Sequence, residues 1–279
     1  MIAASNIAWN SDADDEMYAF LMSAGCQGIE IAPTRIFPEA PYDHLSDVRE
    51  FAASLRENYN LCICSMQSIW YGVTDLIFDS DAARERLIAY TAKAVAFASA
   101  CGCKNLVFGS PKNRSLPNNQ AIPDEGYRFF SDIGHIATEN GCIIALEANP
   151  EIYGTNFINT TEQAFAFANT VNSPGLKVNL DIGTVIFECE GMSTEGIADD
   201  KHSAKIIESI RNNFDMINHV HLSEPRLVPI KKRDLVIRIF KVLGSMGYSK
   251  YLSLEMANTN RLTDVQEALK LLKEMAGII

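Results

Sequence analysis

The segment 176–184 reads LKVNLDIGT, an apolar run that ends in a carboxylate, and the same plan occurs in three further segments. They are CIIALEANP at 142–150, MINHVHLSE at 216–224 and YLSLEM at 251–256. The acidic or imidazole side chains near the four ends are Glu147, Asp181, His221 and Glu255. They are 34, 40 and 34 residues apart, about the length of one strand and one crossover helix. In a closed ring of parallel strands, all four would meet at one end of the barrel.

Alternation within the four strands predicts which side chains face the barrel axis, because successive residues of a strand point to opposite faces. The face that must pack against helices is uniformly apolar: Ile144, Leu146, Val178, Leu180, Val220, Leu222, Leu252 and Leu254. The other face carries Glu147, Asp181, His221 and Glu255, whose carboxylates and imidazole make them candidate ligands of a divalent metal. One layer below them on the same face are Ala145, Asn179, His219 and Ser253. A barrel normally fills that layer with Val, Ile or Leu. Small and polar residues there suit a layer that orients metal ligands.

Length and composition predict one large globular domain over residues 1–279. The chain has 279 residues, of which 47% are hydrophobic and 21% charged, as expected for a single (βα)8 barrel. The net charge of −11 opposes binding to nucleic acid or to an anionic membrane. Because the first residues, MIAASNIAWN, lack a signal-peptide pattern and no run of 18 apolar residues occurs, we expect a cytoplasmic protein without a membrane span. Seven cysteines without an export signal are expected to be reduced.

Eight apolar runs alternate with amphipathic helical patterns, which predicts eight strands in βα order. The predicted strands are 2–8, 28–32, 61–66, 105–109, 142–147, 176–181, 217–222 and 251–255, and two of the predicted helices are 82–100 and 235–246. The long irregular segments follow strands and are expected to form the loops of the active face: 33–44, 67–81, 110–125, 149–160, 183–196 and 223–232.

The strand ends together resemble the xylose isomerase-like barrel superfamily of sugar phosphate isomerases and epimerases, a group that also contains inosose dehydratases and endonuclease IV. The segments that carry the resemblance, in chain order, are SNIAWN, GIEIAPTRIFP, SMQSIW, LVFGSPKNR, LEANP, NLDIGT, HVHLSE and LSLEM. The resemblance spans the whole chain. It implies a metal held by Glu147, Asp181, His221 and Glu255, with Glu147 and Glu255 as the paired acid and base on opposite faces of the substrate.

One position departs from the pattern of this superfamily. Many members have Asp-x-x-His after the sixth strand, with the histidine on the substrate, whereas DIGT places Thr184 there. The four metal ligands are unaffected, but a ketohexose-type substrate pose is no longer implied. Three carboxylates and one imidazole favour Mn²⁺, Mg²⁺ or Co²⁺, and Zn²⁺ also accepts such ligands.

Polar and aromatic residues in the loops after the strands are candidate substrate-binding residues. They are Gln67, Trp70, Ser110, Lys112, Asn113, Arg114, Asn149, Glu224 and Arg226. Lys112 and Arg114 suit an anionic or oxygen-rich substrate end, and Arg226 could polarise a substrate oxygen or pair with Glu224.

These features predict a divalent-metal-dependent isomerase or epimerase of a sugar or sugar derivative, acting by proton transfer through an enediolate. A dehydratase of a cyclic polyol or keto acid would use the same metal and base, and a sugar-binding barrel without turnover is a third alternative. DNA repair of the endonuclease IV type is disfavoured because it needs more histidines and a cationic surface. The expected partner is a small sugar-like molecule, and the sequence is compatible with a homo-oligomer.

Overall fold

The computed structural model describes residues 1–119, 121–191 and 200–277, and its central feature is a closed ring of eight parallel strands in sequence order. The strands are β1 (Ile2–Ser5), β2 (Gly28–Ile31), β3 (Cys62–Met66), β4 (Asn105–Phe108), β5 (Ile143–Glu147), β6 (Leu176–Asp181), β7 (Ile217–Leu222) and β8 (Leu252–Leu254). Because β8 pairs with β1, the ring has no open edge. All eight predicted strands are present, as is the (βα)8 barrel. The first is shorter than predicted, because residues 6–8 form a 3-10 turn that the Ser5 side chain caps.

Ten α-helices in the described part of the chain surround the ring. They are α1 (Asp14–Ser23), α2 (Pro33–Ile36), α3 (Leu45–Tyr59), α4 (Asp81–Cys101), α5 (Asp124–Glu139), α6 (Thr161–Val171), α7 (Ile182–Glu190), α8 (Asp200–Asn212), α9 (Asp234–Ser245) and α10 (Leu262–Met275). The predicted helices 82–100 and 235–246 correspond to α4 and α9. None of the described helices is long and apolar enough to cross a membrane.

The prediction of a loop over 183–196 is wrong for residues 183–190, which form most of α7. The helix starts directly after β6 because the Asp181 side chain accepts hydrogen bonds from the backbone N–H groups of Gly183 and Thr184, which caps the new helix. Residues 192–196 of that predicted loop lie outside the described residues.

The apolar core lies between the ring and the helices, as the parity of the strands predicts. Leu146, Leu180, Leu222 and Leu254 are each at most 1% exposed and belong to this core. The barrel interior is polar instead: Asn105 donates to Ser65 Oγ (2.8 Å), and Asn218 donates to Asn105 Oδ1 (2.6 Å). All seven cysteines are free thiols, as expected.

Candidate metal centre and active site

The carboxyl ends of β5, β6, β7 and β8 bring the four predicted ligands together. His221 Nδ1 lies 3.2 Å from Glu147 Oε2 and 3.2 Å from Glu255 Oε2. Ligand atoms of Asp181, His221 and Glu255 all lie within 4.8 Å of one another. The convergence derived from strand spacing is therefore present in the fold.

The donor atoms of this cluster fit a divalent cation. His221 is fully buried, and its Nδ1 atom makes no hydrogen bond although carboxylates surround it. Two ligand atoms at right angles around an ion, each about 2.1 Å from it, lie about 3 Å apart. The separations from His221 Nδ1 to the two glutamates match this value. A buried imidazole nitrogen that makes no hydrogen bond is costly unless a cation or a proton lies between it and the carboxylates.

Asp181 is held in place by the start of α7 and by the end of β7. Its Oδ1 accepts a hydrogen bond from Ser223 Oγ (2.6 Å), and its Oδ2 lies 2.8 Å from the hydroxyl of Thr184. A Cβ at Gly183 would lie 2.2 Å from Ser223 Oγ, so this contact requires glycine. Thr184 replaces the histidine expected from the superfamily pattern and, in this structure, braces the carboxylate of Asp181.

Glu147 is positioned by two amides. Asn149 Nδ2 donates to Glu147 Oε1 (2.9 Å), and Asn179 Nδ2 donates to Glu147 Oε2 (2.7 Å). Asn149 is in turn fixed by Arg114, whose Nη2 donates to Asn149 Oδ1 (3.0 Å) and whose Nη1 donates to the Glu147 carbonyl (2.8 Å). These contacts point the Glu147 carboxylate at His221.

Glu30 on β2 completes the support of His221 and is the main residue that the sequence analysis missed. Glu30 is fully buried, and its Oε1 lies 2.9 Å from His221 Nε2 while its Oε2 lies 3.1 Å from His219 Nε2. A carboxylate on the far nitrogen of a ligating histidine fixes the ring orientation and its tautomer. The signal was present in GIEI, where a glutamate stands at an inward position between two apolar residues.

The electrostatics of the cluster are dominated by burial and by the single imidazole. Burial raises the pKa of Glu255 to about 7, although His221 opposes that rise. Burial and the charge of Glu147 also raise the pKa of Asp181. For Glu147, the effect of burial is outweighed by His221 and by the two asparagine donors, so its pKa is lowered. The desolvation that would lower the pKa of His221 is outweighed by Glu30 and Glu255, which raise it well above its ordinary value.

Several residues that were predicted to bind substrate make their contacts with other residues of the protein. Trp70 packs edge-on against Phe108, and its indole N–H donates to Thr91 Oγ1 on α4 (2.9 Å), which places the ring between barrel and helices. Asn113 donates to the carbonyls of Val73 and Asp75 and so braces the loop after β3.

Arg114 and Asn149 are buried beneath Glu147 and act on the carboxylate rather than at an open surface. Gln67 is also buried, and its amide donates to Ser5 Oγ. The predicted residues with open surface on the active face are Ser110, which is half-buried, and Lys112 and Arg226, which are exposed.

Glu224 does not pair with Arg226. Its two carboxylate oxygens accept from Nε (2.8 Å) and Nη2 (2.6 Å) of Arg233, and Arg233 also forms an ion pair with Glu190 at the end of α7. This buried network ties the loop after β7 to α7. The two-pronged geometry matches the planar guanidinium to the carboxylate, which explains why Arg233, and not the exposed Arg226, is the partner.

Tyr153 is a second residue that the sequence analysis missed. It lies in the short 3-10 turn Glu151–Tyr153 after β5, and its hydroxyl accepts a hydrogen bond from the backbone N–H of Arg226 (2.7 Å). Burial raises its pKa, and the charges of Asp181, Glu255 and Glu147 raise it further. Its own O–H is left to donate to a bound molecule.

A family model described as xylose isomerase-like TIM barrel matches residues 18–275. The chain belongs to this family. A search of curated protein sequences finds no match.

Solved structures with the same fold include several sugar epimerases. The D-psicose 3-epimerase of Clostridium cellulolyticum H10, solved with D-tagatose, is 15% identical with a TM-score of 0.75 over 99% of this chain and 98% of that one. The 3-keto-D-glucoside 4-epimerase of E. coli is 16% identical with a TM-score of 0.72 over 99% and 98%. An IolI protein with a bound zinc atom is 21% identical with a TM-score of 0.65 over 98% and 95%. At these identities the likeness shows the shared fold.

Proposed function

We propose that this protein is a divalent-metal-dependent isomerase or epimerase of a sugar or sugar derivative. The observation that carries the proposal is the buried Nδ1 of His221, which makes no hydrogen bond and faces Glu147 and Glu255 at 3.2 Å each. Together with Asp181 these residues would hold the ion, with Mn²⁺, Mg²⁺ or Co²⁺ favoured by the oxygen-rich donor set and Zn²⁺ also accepted. The sugar epimerases that share the fold support this choice of chemistry.

The two glutamates serve as the proton carriers. They stand at the carboxyl ends of β5 and β8 and each lies 3.2 Å from His221 Nδ1, so a substrate lying across the site would have one carboxylate near each face. A divalent ion held by these residues would supply positive charge for the substrate oxygens that become negative during the reaction. One glutamate removes the proton on the carbon beside the carbonyl. The other returns a proton, either to the opposite face of that carbon or to its neighbour.

Residues around the glutamates position the substrate and the base. Asn149 and Asn179 hold the Glu147 carboxylate through hydrogen bonds to its two oxygens. The Tyr153 hydroxyl and the guanidinium of Arg226 are the donors offered by the loops after β5 and β7. Ser110 and Lys112 offer a hydroxyl and an ammonium from the loop after β4.

Proton exchange at carbon tests the proposal. The protein is incubated with Mn²⁺ and a panel of ketoses and ketoglycosides in D₂O, and deuterium at carbon is followed by NMR. Incorporation together with formation of an epimer or isomer supports the proposal. Loss of water from the substrate without reprotonation would assign a dehydratase instead, and absence of both reactions across the panel would contradict turnover of this kind.

A further inference from the structure

A groove of about 810 Å³ opens on the active face beside the candidate metal centre. Its walls come from the loops after β1, β2 and β3, whereas the candidate ligands stand on β5 to β8. The groove extends from Ile7 and Ser68 at the barrel mouth to Pro41 and Tyr90 at the outer helices. It therefore leads away from the reacting centre.

The groove lies next to the part of the barrel mouth that carries Glu255. Strand β1, whose following loop contributes Ile7 and Trp9, pairs directly with β8. Asn10, next to Trp9, accepts a hydrogen bond from Asn258 Nδ2 (2.5 Å), three residues beyond Glu255. The loop after β1, which forms one wall of the groove, therefore lies beside the segment that follows Glu255.

Among the described residues that line the groove, no cation is unpaired and available to an anionic substituent. Its arginine, Arg35, donates through Nη1 and Nη2 to both carboxylate oxygens of Asp14 and through Nη2 to the Trp9 carbonyl (3.2 Å). Asp14 also accepts from the Trp9 indole N–H (2.8 Å), so the positive charge is neutralised and the wall is fixed. A phosphate would find no free guanidinium here.

The remaining surface suits a neutral ring. Tyr71 is 72% exposed although it is large and aromatic, and it stands at the edge of the groove. Thr34 and Ser68 add hydroxyl groups that bond to no other described residue. An open aromatic face with a few hydroxyls is the surface that binds an uncharged ring.

We propose that the groove binds the non-reacting, neutral substituent of a glycoside substrate, so that the substrate is larger than a free monosaccharide and is not phosphorylated. This inference rests on the proposed function for the placement of the sugar at the metal centre. A volume of about 810 Å³ is near the upper end of the roughly 300–1,000 Å³ usual for small-molecule sites, which leaves space beyond one sugar ring.

Binding of matched glycosides to the metal-loaded protein tests the groove. Phenyl and methyl D-glucopyranosides and D-galactopyranosides, in both anomers, are titrated by calorimetry together with glucose 6-phosphate. In at least one pair the phenyl glycoside should bind about tenfold more tightly than the methyl glycoside. Tyr71→Ala, which removes the aromatic face, and Thr34→Trp, which fills the groove, should abolish this preference. Met22→Ala, an exposed apolar site on α1, is the control and should keep the preference.

Equal affinity within every pair, failure of all glycosides to bind, or a preference that survives both variants would overturn the groove assignment. Tighter binding of glucose 6-phosphate than of every glycoside would contradict the proposal that the substituent is neutral. The groove assignment and the proposed function can fail independently of each other. Carbon exchange without a phenyl preference would contradict only the groove, whereas a phenyl preference without carbon exchange would contradict only the isomerase.

Discussion

Glu30 and His221 are 191 residues apart in the chain, yet inside the barrel His221 Nε2 lies 2.9 Å from Glu30 Oε1 and 3.0 Å from Glu30 Oε2. Because Nε2 faces this carboxylate, Nδ1 is directed at the acidic cluster. Glu30→Gln keeps the size of the side chain but removes its charge, and we expect the affinity for Mn²⁺ to fall by about 10- to 100-fold. Calorimetric titration with Mn²⁺ measures this change. Glu39→Gln, an exposed site after the same strand, is the control, and unchanged affinity in Glu30→Gln would show that His221 is oriented by other groups.

Metal content should depend on the candidate ligands themselves. We expect one equivalent of divalent ion in the purified protein and a loss of most of it in Asp181→Ala and His221→Ala, since each removes a donor from the cluster. Elemental analysis after gel filtration gives the occupancy. The exposed His135, which pairs with Glu139 on α5, provides His135→Ala as the control. Full occupancy in both ligand variants would refute the assignment.

The two proposed proton carriers should be separable by stereochemistry. Glu147→Gln and Glu255→Gln each keep one ligating oxygen but lose the basic carboxylate, so carbon proton exchange should fall by a factor of about 10² to 10⁴. If the glutamates serve opposite faces, each variant should retain partial exchange with a different epimer of the substrate. Proton exchange in D₂O is measured with each epimer, and the metal content of each variant is determined in parallel. Full exchange in both variants with metal present would place the proton carriers elsewhere.

Arg226 should contribute to substrate binding and not to the fold. Its guanidinium is exposed on the active face, so Arg226→Ala should cost about 2–5 kcal/mol in kcat/KM if the side chain contacts the substrate. Stability should stay within about 0.5 kcal/mol, as for other exposed sites. Lys232→Ala changes a cation of the same loop that pairs with Glu274 and should leave kinetics unchanged. Equal kinetics for Arg226→Ala and the unmodified protein would remove Arg226 from the site.

Arg114 should show the opposite behaviour. Arg114→Ala leaves Asn149 Oδ1 and the Glu147 carbonyl without their donor and opens a cavity, so the free energy of unfolding should fall by about 2–5 kcal/mol. Urea denaturation monitored by circular dichroism measures it. Lys112→Ala, two residues away and exposed, should be nearly neutral for stability. A stable Arg114→Ala protein with impaired substrate binding would restore the direct contact that the sequence alone suggested.

Much of the site could be predicted from sequence because the relevant signals are local. Alternation along each strand identifies the inward residues, and the regular interval between strands predicts convergence at one end of the ring. Glu147, Asp181, His221 and Glu255 follow from these two regularities alone. The same regularities place Leu146 and Leu180 against the helices. That residues 1–279 form a single domain stays a prediction.

Only the tertiary structure decided how the surrounding side chains are used. Arg114 and Arg226 both look like loop cations in the sequence, but one is buried under Glu147 and the other is exposed. The bond between Glu30 and His221 requires closure of the ring, and the pairing of Arg233 with Glu224 depends on how two loops fold together. Strand periodicity is a property of a few neighbouring residues. Partner choice among long polar side chains instead depends on distances and burial that exist only after the chain has folded.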